Sequence, residues 1–324
     1  MQTYFEHMIQ AAYEQRASDI YLLPEQGRYQ IKFHNGSQPI GYRIISSQLA
    51  DQLFSFLKFK AQMNIAENRR PQVGSMIMAF GQENLSLRVS TVGNFANKET
   101  MVIRILYDQS FHELSWLIDQ QFDQLEKAIP QQGLVVVAGP TGSGKTSTIH
   151  QLLNKQSDRK MILTIEDPVE IRDEKIVQLQ VNNEANMSYL DLIKVALRHH
   201  PDILLIGEIR DAQTAQAAVQ ASLSGHLVFS TLHANSSLGV ISRLLEMNVD
   251  PVLLKDVMRL AVYQRLLPTQ SGDQAALADW QLFTDGWDQP MTAFTSKWKE
   301  NLDDAYRHSW ISKEIYEAYL KIAS

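Results

Sequence analysis

Cysteine is absent from all 324 residues of the chain. Its absence excludes disulfides, thiolate metal ligands and cysteine nucleophiles, and it is typical of a reducing, intracellular setting. No apolar run approaches the roughly 20 residues that a membrane-spanning helix requires. Excess positive charge is missing as well, because the formal net charge is −6. Since a basic surface drives non-specific binding of nucleic acids, this charge balance disfavours direct DNA binding.

The hydrophobic pattern divides the chain into two parts. Residues 1–107 combine helix patterns with alternating strand patterns, which predicts an α+β domain. Beyond it, buried strand patterns alternate with helical segments, as is typical of a doubly wound α/β domain with a parallel sheet. We predict a linker at 108–114, the α/β domain at 115–266 and a tail at 267–324 that is irregular until a short amphipathic helix near residues 313–322.

One segment of the second part carries the motif of a phosphate-binding loop. Gly139-Pro140-Thr141-Gly142-Ser143-Gly144-Lys145-Thr146 lies between a predicted strand and a helix that begins near Ser147. Its glycines allow backbone N–H groups to surround a phosphate at the N-terminus of the helix. Lys145 would reach the β and γ phosphates of a nucleoside triphosphate, and the Thr146 hydroxyl would bind Mg²⁺. The alternative is a glycine-rich turn that caps a helix.

Acidic residues and histidines flank the other buried strands of this part. Glu166 and Asp167 follow the strand at 161–165, Glu208 follows the strand at 203–206, and His233 follows the strand at 227–230. Ligands of open α/β sheets bind at the carboxyl ends of the strands, where a carboxylate can hold Mg²⁺ or orient an attacking water. Each residue also has a structural alternative: turn residues for the first pair, a helix-entry charge for Glu208 and a hydrogen-bonded core histidine for His233.

Together, these segments resemble the Walker A motif, aspartate box, Walker B motif and histidine box of the type II secretion and type IV pilus assembly ATPases. They are residues 139–146, 164–170, 207–211 and 225–233, and the resemblance extends over roughly residues 15–266. It implies a RecA-like C-terminal ATPase domain, a PAS-like N-terminal domain, ATP and Mg²⁺ as ligands, and a homo-hexameric ring. It also implies Glu208 as the favoured general base or ligand to a metal-bound water, Glu166 as the second carboxylate and His233 as a contact to the γ phosphate.

Two arginines in the first part complete the candidate site. Strand periodicity places Arg88 opposite the apolar face of its strand, and an antiparallel hairpin would bring Arg104 beside it. The resemblance implies that Arg88 and Arg104 are arginine fingers, which stabilise charge on a transferred phosphoryl group. The alternative is that both are solvated strand charges. For Arg210, we expect only pairing with neighbouring acids.

The chain departs from parts of the family pattern. Without cysteine, it lacks the four-cysteine zinc element that many extension and secretion members carry, so we expect no zinc. Residues 316–324 do not match the tail of the pilus-retraction branch. The sequence therefore most resembles the competence branch, which powers assembly of a DNA-uptake pseudopilus. That resemblance implies a location at the cytoplasmic face of the plasma membrane, a polytopic membrane platform protein as partner and pilin-like subunits as indirect partners.

Three other functions stay open on the sequence alone. The chain could be a general secretion or pilus-retraction ATPase, a nucleotide-gated scaffold that docks to a membrane platform, or a DNA-translocating motor of the RecA class. The complete carboxylate motifs argue against the scaffold. The acidic net charge and the lack of an evident basic or aromatic stacking surface argue against the DNA motor.

Overall fold

The computed structural model describes residues 1–35, 39–81, 83–106, 114–182, 185, 187–283 and 293–322. Within the chain, two compact units can be distinguished, Met1–Asp108 and Gln109–Ser324. No helix in the described ranges is both long and apolar enough to cross a membrane.

The first unit contains a six-stranded antiparallel sheet in the order β3-β2-β1-β6-β5-β4. Its elements are α1 (Gln2–Glu14), β1 (Asp19–Glu25), β2 (Arg28–His34), β3 (Ile40–Ser46), α2 (Ser47–Lys60), β4 (Gln72–Phe80), β5 (Glu83–Gly93) and β6 (Glu99–Leu106). Helix α2 begins where the Ser46 hydroxyl accepts a hydrogen bond from the backbone N–H of Leu49. Alternate residues of β6 are buried, so one face of the sheet contributes to the core of the unit.

The second unit contains a seven-stranded sheet in the order β13-β12-β7-β11-β10-β8-β9, in which only β12 and β13 pair antiparallel. The strands are β7 (Gly133–Ala138), β8 (Ile162–Glu166), β9 (Val177–Gln180), β10 (Ile203–Glu208), β11 (Leu227–Leu232), β12 (Met258–Pro268) and β13 (Gln274–Leu282). The helices are α3 (Gln121–Ala128), α4 (Lys145–Asn154), α5 (Tyr189–Arg198), α6 (Ala212–Leu223), α7 (Ser237–Glu246), α8 (Pro251–Val257), α9 (Ser296–Arg307) and α10 (Lys313–Leu320). Every residue of β7 and β11 is buried, because apolar clusters cover both faces of the sheet.

Local sequence signals explain several of these boundaries. The Asp211 carboxylate accepts a hydrogen bond from the N–H of Thr214 and so caps α6, and Gly225 follows this helix with a φ of 90°. Asp250 caps α8 in the same way, and Pro251 occupies the first position of that helix. The parallel sheet and its four predicted strands are therefore present where the hydrophobic pattern places them.

The structure differs from the sequence prediction after residue 257. The predicted helix at the end of the tail is present as α10, but the described residues of the tail before it are not irregular, because they include β13 and α9. Strand β12 crosses positions 266 and 267, between which we divided the ATPase domain from the tail. Polar residues interrupt the apolar pattern of β12, and alanine, which has a low strand propensity, is frequent in β13. Of the predicted linker at 108–114, only Leu114 lies in the described residues.

Candidate active site

The predicted phosphate-binding loop connects the buried strand β7 to helix α4. Gly142 and Gly144 have φ values of 76° and 80°, a backbone conformation that residues with a Cβ rarely adopt. Gly144 is also the N-cap residue of α4, so the free N–H groups of the first helical turn lie at the end of the loop. The strand, loop and helix therefore occur in the order that a phosphate-binding loop requires.

The Lys145 side chain lies inside this loop. Its Nζ donates hydrogen bonds to the carbonyl oxygens of Gly139 and Pro140, at 3.0 and 2.9 Å. Burial lowers the pKa of Lys145, and the carboxylates of Glu208 and Glu170 act against this shift. The lysine is thus held where an anionic group bound in the loop would meet a cation.

Gln264 on β12 holds the loop from the neighbouring strand. Its side chain is fully buried, and its Nε2 donates to the carbonyl oxygen of Ser143 at 2.7 Å. Its Oε1 accepts a hydrogen bond of 2.7 Å from the Thr148 hydroxyl. A Cβ at Gly144 would lie only 2.9 Å from Gln264 Nε2, so this glycine is required by the contact as well as by its φ value. Gln264 belongs to none of the sequence motifs; its only signal in the sequence is a polar residue in a largely apolar stretch.

A pocket lies at the carboxyl ends of β8 and β10, next to the loop. Its lining includes three predicted site residues, Thr146, Glu166 and Glu208, which the structure brings together within one unit. The polar residues that line it are Thr146, Glu166, Asp167, Glu170, Tyr189, Glu208, Arg210 and Thr231. This is the position in an open α/β sheet at which ligands bind.

Glu208 ends β10 with its carboxylate partly exposed. The side chain is 21% exposed; Arg210 Nε donates to Oε2 at 2.8 Å, and His233 Nε2 lies 3.2 Å from Oε1. The hydrogen bond and charge of Glu208 raise the pKa of Arg210, so the expected pairing of this arginine with a neighbouring acid is present. His233 is 52% exposed, which contradicts the alternative of a core histidine.

Glu166 ends β8 with its carboxylate buried. Its Oε1 accepts hydrogen bonds from the Thr164 hydroxyl at 2.7 Å and from Gln178 Nε2 at 3.2 Å. On the other side, Oε2 lies 3.7 Å from Nε2 of His150, a fully buried residue of α4. Gln178 and His150 were not predicted as site residues, because neither belongs to a motif and their contacts with Glu166 form only in the folded protein.

Tyr189, at the start of α5, is another pocket residue that the motifs did not indicate. Burial raises its pKa, and the nearby carboxylate of Asp167 raises it further. Its hydroxyl lies close to Gly207, where an added Cβ would be 3.3 Å away. The tyrosine is therefore neutral, and it lines the same pocket as the carboxylates.

Arg88 and Arg104 belong to the first unit. They are direct cross-strand neighbours in the β5–β6 hairpin, as strand periodicity predicts. Arg104 Nε donates to Asp19 Oδ1 at 2.8 Å, and about half of the Arg104 side chain is exposed. Arg104 is therefore more than a solvated charge, because its guanidinium has a fixed partner on β1.

The pocket suits a nucleotide-bound magnesium ion. The described ranges contain no group of three or more histidine or acidic side chains arranged to hold a metal alone. Mg²⁺ in nucleotide sites needs few protein ligands, because phosphate and water oxygens complete its coordination. Thr146 and Glu208, which share this pocket, are suitable ligands of that kind.

A comparison with known families identifies the chain. Residues 1–298 match the family described as type II/IV secretion system protein. The chain belongs to this family. The competence protein ComGA of Streptococcus pneumoniae is 37% identical over 307 residues, which are 95% of this chain and 94% of that protein. Type II secretion system protein E of Dickeya dadantii is 39% identical over 268 residues, but these cover 81% of this chain and only 53% of the relative.

Solved structures of two other proteins share the fold of this chain. The Legionella pneumophila ATPase DotB superposes with a TM-score of 0.79 at 19% identity, covering 98% of this chain and 95% of that one. The pilus retraction motor PilT superposes with a TM-score of 0.72 at 24% identity, covering 97% and 96%. The predicted fold and family are confirmed: the chain belongs to the type II/IV secretion system protein family, shares the fold of the DotB and PilT structures, and is similar to a competence protein.

Proposed function

We propose that this chain is a Mg²⁺-dependent ATPase motor that powers assembly of a competence pseudopilus for DNA uptake. It acts as a homo-hexamer at the cytoplasmic face of the plasma membrane, on a polytopic platform protein, and moves pilin-like subunits indirectly. The similarity to a competence protein along 95% of the chain supports this role most strongly. The phosphate-binding loop and the two carboxylates in one pocket support ATP hydrolysis as the source of work.

The loop residues bind the phosphates of ATP. Backbone N–H groups between Gly139 and Ser147 surround the phosphates, and the Lys145 ammonium contacts the β and γ phosphates. The Thr146 hydroxyl, with Glu208 through a water, would hold Mg²⁺, which neutralises phosphate charge when it is bound. Gln264 keeps the loop in shape through its hydrogen bond to the carbonyl of Ser143.

Glu208 is the general base in this proposal. The attacking water forms a bond to the γ phosphorus and loses a proton to the Glu208 carboxylate, while the bond between that phosphorus and the ADP oxygen breaks. Arg210 and His233 hold the carboxylate, and His233 also contacts the γ phosphate. Glu166 is the second carboxylate, and Arg88 and Arg104 stabilise the charge of the transferred phosphoryl group as arginine fingers.

Purified protein tests the enzymatic part of the proposal. ATP hydrolysis should require Mg²⁺ and should be abolished by Lys145→Ala, because the β and γ phosphates lose their cation. The matched control is Lys175→Ala, since Lys175 lies in the same unit and pairs with Asp158 on the surface. Hydrolysis at the wild-type rate by Lys145→Ala would show that this loop is not the nucleotide site.

A cellular experiment tests the motor part. Glu208→Gln protein should bind ATP but should fail to support pseudopilus assembly and transformation. Full transformation by this variant would instead support a nucleotide-gated scaffold. The type II secretion relatives make a secretion ATPase the second candidate; normal pseudopili with a loss of secreted proteins in the deletion strain would support that function.

A further inference from the structure

Two adjacent turns of the first unit carry one exposed aromatic ring and three exposed cationic side chains. Phe95, in the turn between β5 and β6, is 101% exposed. Arg69 and Arg70, in the turn before β4, and Lys98, after Phe95, are exposed as well. We call these four residues the tip surface. A fully exposed phenyl ring gains no burial energy within the unit, so the ring is available to a partner outside it.

The turn that carries Phe95 has a fixed conformation. The Asn94 side-chain oxygen accepts hydrogen bonds from the backbone N–H groups of Ala96 and Lys98, at 2.9 and 3.0 Å. The Asn94 N–H donates to the carbonyl oxygen of Lys98 at 2.8 Å. These bonds form a closed turn of the kind that asparagine favours, and they hold the ring at its outer end.

The second turn is joined to the first by backbone contacts. The Gly93 N–H donates to the carbonyl oxygen of Arg69 at 3.1 Å, and a Cβ at Gly93 would lie 2.8 Å from the carbonyl oxygen of Asn68. Glu67 Oε1 accepts hydrogen bonds from the N–H groups of Arg69 and Arg70, at 2.8 and 3.0 Å. The backbones of the two turns therefore form one surface.

A buried ion pair anchors both turns from below. Lys58 Nζ lies 2.5 Å from Glu99 Oε1, and the two side chains are 1% and 8% exposed. The same Nζ donates to the carbonyl oxygen of Glu67 at 2.8 Å and to the side-chain oxygen of Asn68 at 3.1 Å. A buried ammonium is tolerated when it is paired with a carboxylate and hydrogen-bonded, as this one is. Lys58 thus connects the residues that precede the two arginines to the strand that follows Phe95.

The charges at the tip surface are unbalanced. The two turns carry three exposed cationic side chains and one carboxylate, that of Glu67. This carboxylate accepts hydrogen bonds from backbone N–H groups and lies 3.8 Å from Arg70 Nε. We propose that the tip surface binds the anionic headgroups of a lipid bilayer, with Phe95 inserted between them. Aromatic rings are favourable at the bilayer interface, and cations beside them attract anionic lipids.

The shape of the surface favours a bilayer over single-stranded nucleic acid. Nucleic-acid sites of that kind stack successive bases on several rings along a basic groove. The tip surface offers one ring, at the outer end of a hairpin turn. This inference deepens the membrane location proposed above, but it does not depend on ATP hydrolysis or on the competence role.

Vesicle cosedimentation of the full chain tests the inference. The wild-type protein should bind vesicles of phosphatidylglycerol and phosphatidylcholine but not vesicles of phosphatidylcholine alone, and binding should weaken as salt is added. Replacing the three cations (Arg69→Gln, Arg70→Gln, Lys98→Gln) should weaken binding by about 100-fold. Phe95→Ser should weaken binding by about tenfold, because the ring no longer leaves water.

Matched controls separate this surface from net charge and general hydrophobicity. Lys155→Gln, Arg159→Gln and Lys160→Gln remove the same charge from the turn after α4, and Val252→Ser removes an apolar side chain that is 65% exposed on α8. The triple variant of the turn after α4 and the Val252→Ser variant should both bind vesicles as the wild type does. All of the tip and control variants should hydrolyse ATP at the wild-type rate.

Three results would overturn the inference. The first is an equal loss of vesicle binding in the tip and control variants, and the second is no vesicle binding by a wild-type enzyme that is active. The third is that the wild type binds a fluorescent single-stranded oligonucleotide and the tip substitutions abolish this binding, which would identify a nucleic-acid surface. If the wild type did not bind vesicles but hydrolysed ATP normally, the proposed motor function would be unaffected.

Discussion

The carboxyl ends of β8 and β10 differ although the two strands are neighbours in one sheet. Each ends in a glutamate that lines the same pocket, but Glu166 is buried and Glu208 is partly exposed. Glu166 accepts hydrogen bonds from Thr164 and Gln178, whereas Glu208 lies against Arg210 and the half-exposed His233. A carboxylate held by buried donors stabilises a structure, and a carboxylate open to solvent can take a proton from water. This difference supports the proposed assignment of the general base to Glu208.

The largest expected effect is the loss of ATP hydrolysis when Glu208, and not Glu166, is replaced. Glu208→Gln should lower kcat by about 10²–10⁴-fold, the usual contribution of a general base, while ATP still binds. Steady-state hydrolysis and nucleotide titration measure the two quantities. Glu246→Gln is the control, because Glu246 lies on the surface of α7 and pairs with Arg243. Wild-type turnover in Glu208→Gln would remove the assignment of the base to this residue.

The second prediction concerns the buried carboxylate of Glu166 at the end of β8. Thr164→Val should lower the free energy of unfolding by about 1.5–3 kcal/mol, because a buried carboxylate loses its hydroxyl donor while the side-chain shape is kept. Chemical denaturation measures the loss, with Thr269→Val on the surface as the control. If Thr164→Val were as stable as the wild type, the Thr164 hydrogen bond would not support Glu166.

Glu166→Gln should have a smaller effect on the reaction. The amide oxygen of glutamine can still accept from Thr164 and Gln178, but the charge that faces His150 is lost. We expect kcat to fall by about tenfold, equal to ~1.4 kcal/mol in the activation free energy. Initial rates at saturating ATP measure this change, and a circular dichroism spectrum like that of the wild type would confirm folding. If kcat fell as much in Glu166→Gln as in Glu208→Gln, the two glutamates would not differ in their roles in the reaction.

The smallest expected effect on stability is at the partly exposed carboxylate of Glu208, at the end of β10. Arg210→Gln should change the free energy of unfolding by only about 0–1 kcal/mol, because Arg210 is 64% exposed and exposed ion pairs contribute little. The same denaturation experiment as for Thr164→Val gives the comparison directly. Equal destabilisation by Arg210→Gln and Thr164→Val would contradict the account of one buried and one exposed site.

Local signals predicted much of this molecule. The glycine pattern of the phosphate-binding loop predicted the strand before it and the helix after it, and Asp211 predicted the start of α6. The period of two in the strands predicted that Arg88 and Arg104 face the same side. These features depend on residues close in the sequence, or on a hairpin.

Features that depend on distant residues were not predictable in the same way. Gln264 contacts Ser143 and Thr148 from a strand more than a hundred residues later in the chain. Strand β12 itself was missed, because the buried Gln264 and the partly buried Arg259 and Arg265 break the apolar pattern. The contact of His150 with Glu166 joins a helix to a neighbouring strand, and no spacing rule relates the two positions. Which glutamate is buried was therefore visible only in the folded sheet.

The ratio of kcat between Glu166→Gln and Glu208→Gln, measured side by side at saturating Mg²⁺-ATP, tests the central claim most directly. We predict that Glu166→Gln turns over at least about tenfold faster than Glu208→Gln, because only the exposed carboxylate exchanges a proton with the attacking water. Both variants should bind ATP as the wild type does. Turnover by Glu208→Gln that equals or exceeds that of Glu166→Gln would contradict the account.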